Sequence, residues 1–155
     1  MDWVFSAFLV VSMLHMVEEY FYPGGFMDVM KRFNPRFAPF VTVPMAVIIN
    51  GLQLVLCVLA LIVGRNMLTF SISVAALLFI NGLAHILGSV RGKGYEPGVF
   101  TGVLLYLPLS VYAYYAFIGS GQLALNQVFV TVVLGLFYQA VPIGYFVMAS
   151  AVRRS

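Results

Sequence analysis

His15, Glu18 and Glu19 lie close together inside an otherwise apolar stretch. Placing a charged group at the centre of a membrane helix costs roughly 2.5 to 3.5 kcal/mol, so a chain that accepts this three times over uses the groups. On a helix Glu18 is i+3 and Glu19 is i+4 from His15, and both carboxylates can share the histidine's face. Asn81 and His85 stand at i and i+4 in a second apolar stretch, and Glu96, Pro97, Gly98 and Thr101 open a third. Bundles build metal sites from Glu and His at such spacings on facing helices. His15, His85 and Glu19 make a set of two histidines and one carboxylate. That set suits zinc with an open position for water, or non-haem Fe(II) with open positions for oxygen and substrate. Glu18 is expected to act as a general base or second carboxylate ligand, and Asn81 and Thr101 to orient substrate or ligands. Glu96 joins them on its position alone. The same residue types also serve a metal-free acid/base pair. A dinuclear centre would need more ligands than two histidines and three nearby carboxylates provide.

The elements that must position these residues are set by composition. Of 155 residues, 63% are hydrophobic and 8% charged, against about 25% charged in soluble domains. Mean hydropathy is +1.03. The chain reads as an all-α integral membrane bundle, a single domain of five transmembrane helices over about 3–22, 43–63, 67–90, 97–118 and 124–149. Pro23-Gly24-Gly25, Gly64-Arg65-Asn66, Arg91-Gly92-Lys93-Gly94 and Gly119-Ser120-Gly121 separate them, and Pro97 is expected as the first residue of the fourth helix. With five spans, Lys31, Arg32, Arg36, Arg91, Lys93, Arg153 and Arg154 share one face and Arg65 alone takes the other. The positive-inside rule then predicts N-terminus out, C-terminus in, and a multi-pass protein of the cell membrane. A four- or six-span arrangement would scatter these charges across both faces. All three polar groups converge on the cytoplasmic side, with Asn50 and Gln53 at similar depth.

The net charge of +3 sits at helix ends and does not point to nucleic acid. Cys57 is the single cysteine, which excludes an internal disulfide and a multi-cysteine metal site. Met1-Asp2-Trp3 lacks the basic start of a secretory signal, so the first segment is read as a retained helix. In the 23–42 loop, Phe26, Met27, Met30, Phe33, Phe37 and Phe40 alternate with Asp28, Lys31, Arg32 and Arg36, which suits a segment at the cytoplasmic membrane surface or a connector with aromatic anchors. Tyr106, Tyr112, Tyr114, Tyr115, Tyr138, Gln139 and Tyr145 are candidates to line a pocket, anchor at interfaces or pack between helices. Pro108 and Pro142 are expected to kink their spans. There is no glycine-rich phosphate loop and no Ser/His/Asp nucleophile motif.

His15-x-x-Glu18-Glu19, then Asn81-x-x-x-His85, then Pro97-Gly98-x-x-Thr101 resembles the three motifs of the HXXEE family of small multi-pass membrane proteins. The resemblance covers most of the chain and implies that His15, Glu18, Glu19, Asn81, His85 and Thr101 are key positions. It implies no activity. The residues themselves lead to an integral-membrane enzyme, with zinc or iron as cofactor, acting near the cytoplasmic leaflet. Its substrate would be a hydrophobic small molecule, lipid or isoprenoid, undergoing hydrolysis, oxidation or isomerisation. One alternative is a metal-free isomerase or cyclase. Another is a proton- or ion-coupled transporter with the cluster as relay, for which five helices would require a homodimer. A third is a non-catalytic assembly factor.

Overall fold

The structure, a computed structural model, describes residues 1–21, 25, 27, 28, 31 and 38–152. The described residues are mostly helical, with no strand among them. Five helices carry the fold: α1 (Trp3–Phe21), α2 (Val43–Val63), α3 (Leu68–Gly92), α4 (Val99–Gly119) and α5 (Leu125–Val152). Most of the 23–42 loop and the terminal arginines Arg153 and Arg154 lie outside the described residues, so the expectations placed on them are not addressed.

Four helical stretches have the length and apolar composition to cross a membrane: Trp3–Phe21, Val43–Gly92, Val99–Gly119 and Leu125–Tyr145. The second runs for 50 residues. Straight, it would extend about 75 Å, far beyond a hydrocarbon core of about 30 Å. It doubles back instead at Gly64, whose φ of 48° requires a residue without a side chain, followed by a 3₁₀ turn over Gly64–Met67. The Ser71 hydroxyl ties the bend by donating to the Gly64 carbonyl at 2.8 Å.

Helices consecutive in the chain alternate in direction. Ser12 of α1 touches Cys57 of α2, and Tyr20 meets Asn50, so α2 runs against α1. Phe5 stacks on Phe117 and His15 meets Thr101, so α4 also opposes α1. Gln127 reaches Thr69 and Gly135 packs on Ala76, so α5 runs alongside α3 in the same sense. The C-terminal ends of α1 and α3 and the start of α4 therefore meet at one end of the bundle.

Burial is inverted relative to a soluble protein. Ser12, His15, Glu19, Gln53, Ser71, Ser73, His85, Ser110 and Thr131 are buried, whereas Val10, Leu14, Val17, Leu52, Ile62, Tyr115, Phe129 and Phe137 are exposed. Apolar exteriors with small and polar residues between helices are the pattern expected of helices packed in lipid. Helices α3 and α4 approach closely at Gly82 and Gly102, where a Cβ on Gly102 would lie 3.2 Å from the Gly82 Cα. This contact seats α4 against α3.

The fourth helix departs from expectation at its start. Pro97 does not open it. Pro97 and Gly98 form a turn, Gly98 takes φ of 96°, and the helix begins at Val99. One turn later, Gly102–Tyr106 adopts a π-helical pitch, with the Leu107 N–H bonded to the Gly102 carbonyl. Pro108 explains why: it lacks an N–H and its ring crowds the carbonyl four residues back, and the wider pitch ahead of it relieves that crowding. Such π segments concentrate at functional sites.

Candidate functional site

The polar residues of the site arrive on three separate parts of the chain. The last two turns of α1 bring His15, Glu18 and Glu19. The second half of α3 brings Asn81 and His85. The Pro97–Gly98 turn and the first turn of α4 bring Glu96 and Thr101. His15, Glu19 and His85 meet: one ligand atom from each lies within 4.8 Å of the others, and all three residues are buried. Both imidazoles turn Nε2 toward the same carboxylate oxygen. Glu19 Oε1 is 3.6 Å from His15 Nε2 and 3.3 Å from His85 Nε2. The rings stand edge to face with centroids 4.8 Å apart.

The glutamates of α1 separate. Glu18 turns away from the imidazoles to the start of α4. It accepts the Phe100 N–H at 3.0 Å, the Thr101 N–H at 2.7 Å, the Thr101 hydroxyl at 2.5 Å and the Tyr95 hydroxyl. It thus caps the N-terminus of α4, where an anion is favoured by the helix dipole, and it is not a member of the three-ligand group. Thr101 Oγ1 lies 2.8 Å from His15 Nδ1. Glu96 lies on the far side of His85, with Oε1 3.5 Å from Nδ1.

The glycines around the cluster are explained by space. An added Cβ on Gly98 would fall 2.7 Å from His85 Cε1 and 2.8 Å from His15 Cε1, so the Pro97–Gly98 turn lies directly over both rings. Beneath, Tyr106 stacks on His15 with centroids 4.4 Å apart, and its hydroxyl accepts from Gln53 Nε2 at 2.7 Å. Gln53 also donates to Ser12 Oγ at 3.3 Å. Asn50 instead pairs with Tyr20 at an exposed position. Tyr106 is thus a wall of the site, and Ser12, Gly88 and Tyr95 join it without having been singled out in the sequence. Ser12 stood one turn before His15, and Gly88 one turn after His85, which was the available signal.

A cavity of about 780 Å³ adjoins the cluster, bounded by α2, α3 and α5. Its polar lining includes Glu19, His85, Asn81 and Glu96 together with Gln53, Gln139 and Arg91, and its apolar lining Ile49, Leu52, Val55, Leu56, Leu77 and Val141. Four atoms of the site are buried without a formed hydrogen bond among the described residues: His15 Nε2, His85 Nδ1, Asn81 Oδ1 and Glu96 Oε2.

A family model described as "Protein of unknown function with HXXEE motif" matches residues 6–113. The chain belongs to the HXXEE family. The match to the HXXEE model includes His15, Glu18, Glu19, Asn81, His85, Glu96 and Thr101, and stops before α5. No curated protein and no solved structure matches the chain. Membership of the HXXEE family therefore names the motif, and the chemistry has to be read from the arrangement itself.

Proposed function

We propose that this HXXEE protein is an integral-membrane enzyme that holds a divalent zinc or iron ion on His15, Glu19 and His85. It acts on a hydrophobic lipid or isoprenoid-like molecule that reaches the site through the adjoining cavity. We further propose five crossings of the cell membrane, N-terminus out and C-terminus in, which brings Arg91 and Lys93 to the cytoplasmic side. The alternating helix directions and the bend at Gly64 support that count.

The observation that carries the reading is the convergence of two imidazole nitrogens and one carboxylate oxygen in a buried spot beside an apolar cavity. A buried carboxylate is costly unless paired or metal-bound, and His15 Nε2 has no hydrogen-bond partner there. Two nitrogens and one oxygen fit zinc or Fe(II), whereas magnesium and calcium favour all-oxygen sites. Such an ion, when bound, supplies Lewis acidity and an activated water or oxygen position. The residues around it divide the remaining work. Asn81, with Oδ1 free on the cavity wall, orients the substrate through a donor such as a hydroxyl. Tyr106 and the Pro97–Gly98 turn close the rings off from solvent. Glu18 fixes the start of α4 and Thr101 fixes His15.

A metal-free acid/base site or proton relay is the second reading, favoured by the unbroken line His15, Glu19, His85, Glu96 at 3.3 to 3.6 Å steps. Against a transport pathway, the opposite end of the bundle is plugged by Phe5, Phe8 and Phe117. Elemental analysis of the detergent-purified protein with His85→Ala and Glu19→Gln decides between the two. About one zinc or iron per chain, lost in both variants, is the expected result. Metal-free, well-folded protein that takes up none on resupply would overturn the metal reading and leave the relay.

A further inference from the structure

A metal ligand histidine must present an unprotonated nitrogen, yet a neutral imidazole places its proton on either nitrogen unless a partner decides. Around His15 the partners form a directed chain. Glu18 takes two backbone N–H groups and the Tyr95 hydroxyl, which marks it as an acceptor only. Thr101 Oγ1 gives its single proton to Glu18 at 2.5 Å, its other acceptor, the Gly98 carbonyl, being farther at 3.4 Å. The Thr101 oxygen then offers only lone pairs to His15 Nδ1 at 2.8 Å, so Nδ1 carries the hydrogen. Nε2 is left as a buried lone pair directed at Glu19.

Around His85 both ring nitrogens face carboxylates. Nδ1 faces Glu96 Oε1 at 3.5 Å while Nε2 faces Glu19 at 3.3 Å. Glu96 is anchored by its own N–H, which donates to Ser89 Oγ at 3.0 Å. Its carboxylate occupies the space that Gly88 leaves open, where an added Cβ would lie 1.5 Å from Oε2. Neither Glu96 Oε2 nor His85 Nδ1 has a formed hydrogen bond.

Building on the metal reading of the site, we propose that Glu18, acting through Thr101, is a positioning residue that holds His15 with the proton on Nδ1, and that Glu96 takes the His85 Nδ1 proton once an ion occupies Nε2. The His15 Nε2 lone pair and the Glu19 carboxylate are then prepared before the ion arrives. Carboxylates behind metal-binding histidines fix the tautomer and ring orientation in this way, and their loss typically lowers metal affinity 10- to 100-fold. The adjacent acids of the motif thus have separate duties: Glu19 binds, and Glu18 aims.

The test is ¹⁵N NMR of the histidine rings in the metal-free, detergent-solubilised full chain, paired with Co²⁺ titration of wild type, Thr101→Val, Thr101→Ser and Gly88→Ala. His15 is expected as the Nδ1–H tautomer in wild type. Thr101→Val should release His15 into mixed tautomers and weaken Co²⁺ binding roughly 10- to 100-fold, and Thr101→Ser should restore both. Gly88→Ala, by displacing Glu96, should weaken Co²⁺ binding while leaving the His15 tautomer unchanged. An Nε2–H His15 in wild type, or unchanged tautomer and affinity in Thr101→Val, would overturn the inference. Wild type that binds no Co²⁺ yet keeps the His15 Nδ1–H tautomer would sink the metal reading and leave the positioning role of Glu18 standing.

Discussion

At the Arg65 end of the bundle, Phe5 stacks on Phe117 with centroids 5.7 Å apart, Phe8 meets Phe5 edge on, and Val4, Ile72 and Leu78 fill the remaining space. The charges there stay outside: Arg65 pairs with Asp2 at 2.6 Å on an exposed surface. At the His85 end the order reverses, with His15, Glu19, His85 and Glu96 inside and Phe21, Leu87 and Val90 outside. Apolar packing closes the first end, with no charged group in the core there among the described residues. The second end holds buried ionisable groups, the ligands of the proposed metal site. On that reading stability and function are segregated along the helix axes, and substitutions at the two ends should read out separately.

The largest effect is expected from Glu19→Gln. Metal retained through purification should fall to background, while the metal-free variant unfolds no earlier than metal-free wild type, because a buried amide is cheaper than a buried carboxylate. Metal content and thermal unfolding of the same preparations check both halves, and retention at wild-type stoichiometry would break the comparison. Next is Phe117→Ala, at the other end. Emptying this fully buried position should lower stability by about 3 kcal/mol or more and leave Co²⁺ affinity unchanged. A matching loss of affinity would mean the two ends are coupled.

Gly98→Ala is expected to fall between the two classes. Its backbone conformation would cost about 1 to 3 kcal/mol for any residue with a Cβ, and the new atom would press on both imidazoles. Stability and Co²⁺ affinity should therefore drop together, in denaturation and titration alike. The smallest effect belongs to Asp2→Asn. An exposed ion pair contributes about 0 to 1 kcal/mol, so the change in unfolding midpoint should be slight and should vanish at high salt.

Much of this was legible before folding was considered. The limits of α2 follow from an apolar run ending at Gly64, because a lipid-facing helix must stay apolar until it can stop, whereas α3 continues past the expected end at Val90 through Arg91 and Gly92. The seven polar positions of the site were legible by type and depth. The place of Glu18 at the start of α4, away from the imidazoles, was not. Residues three and four after His15 are both its neighbours, and the spacing does not separate them. The Pro97–Gly98 turn was also misread, since proline at a helix start is the commoner use and the need to cover two rings arises only once they meet.

The chain alone, then, determined a bundle of apolar helices with ionisable side chains at one depth, because solvation and helical periodicity act on each segment separately. Which groups touch was decided by the tertiary structure. The close approach at Gly82 and Gly102, the π segment ahead of Pro108 and the turn at Gly98 set the rotation of α4 against α1 and α3. That rotation brings Thr101 and Glu96 behind the two histidines and leaves Glu19 between them. Contacts of this kind depend on helices far apart in sequence, and no local pattern encodes the angle at which they meet.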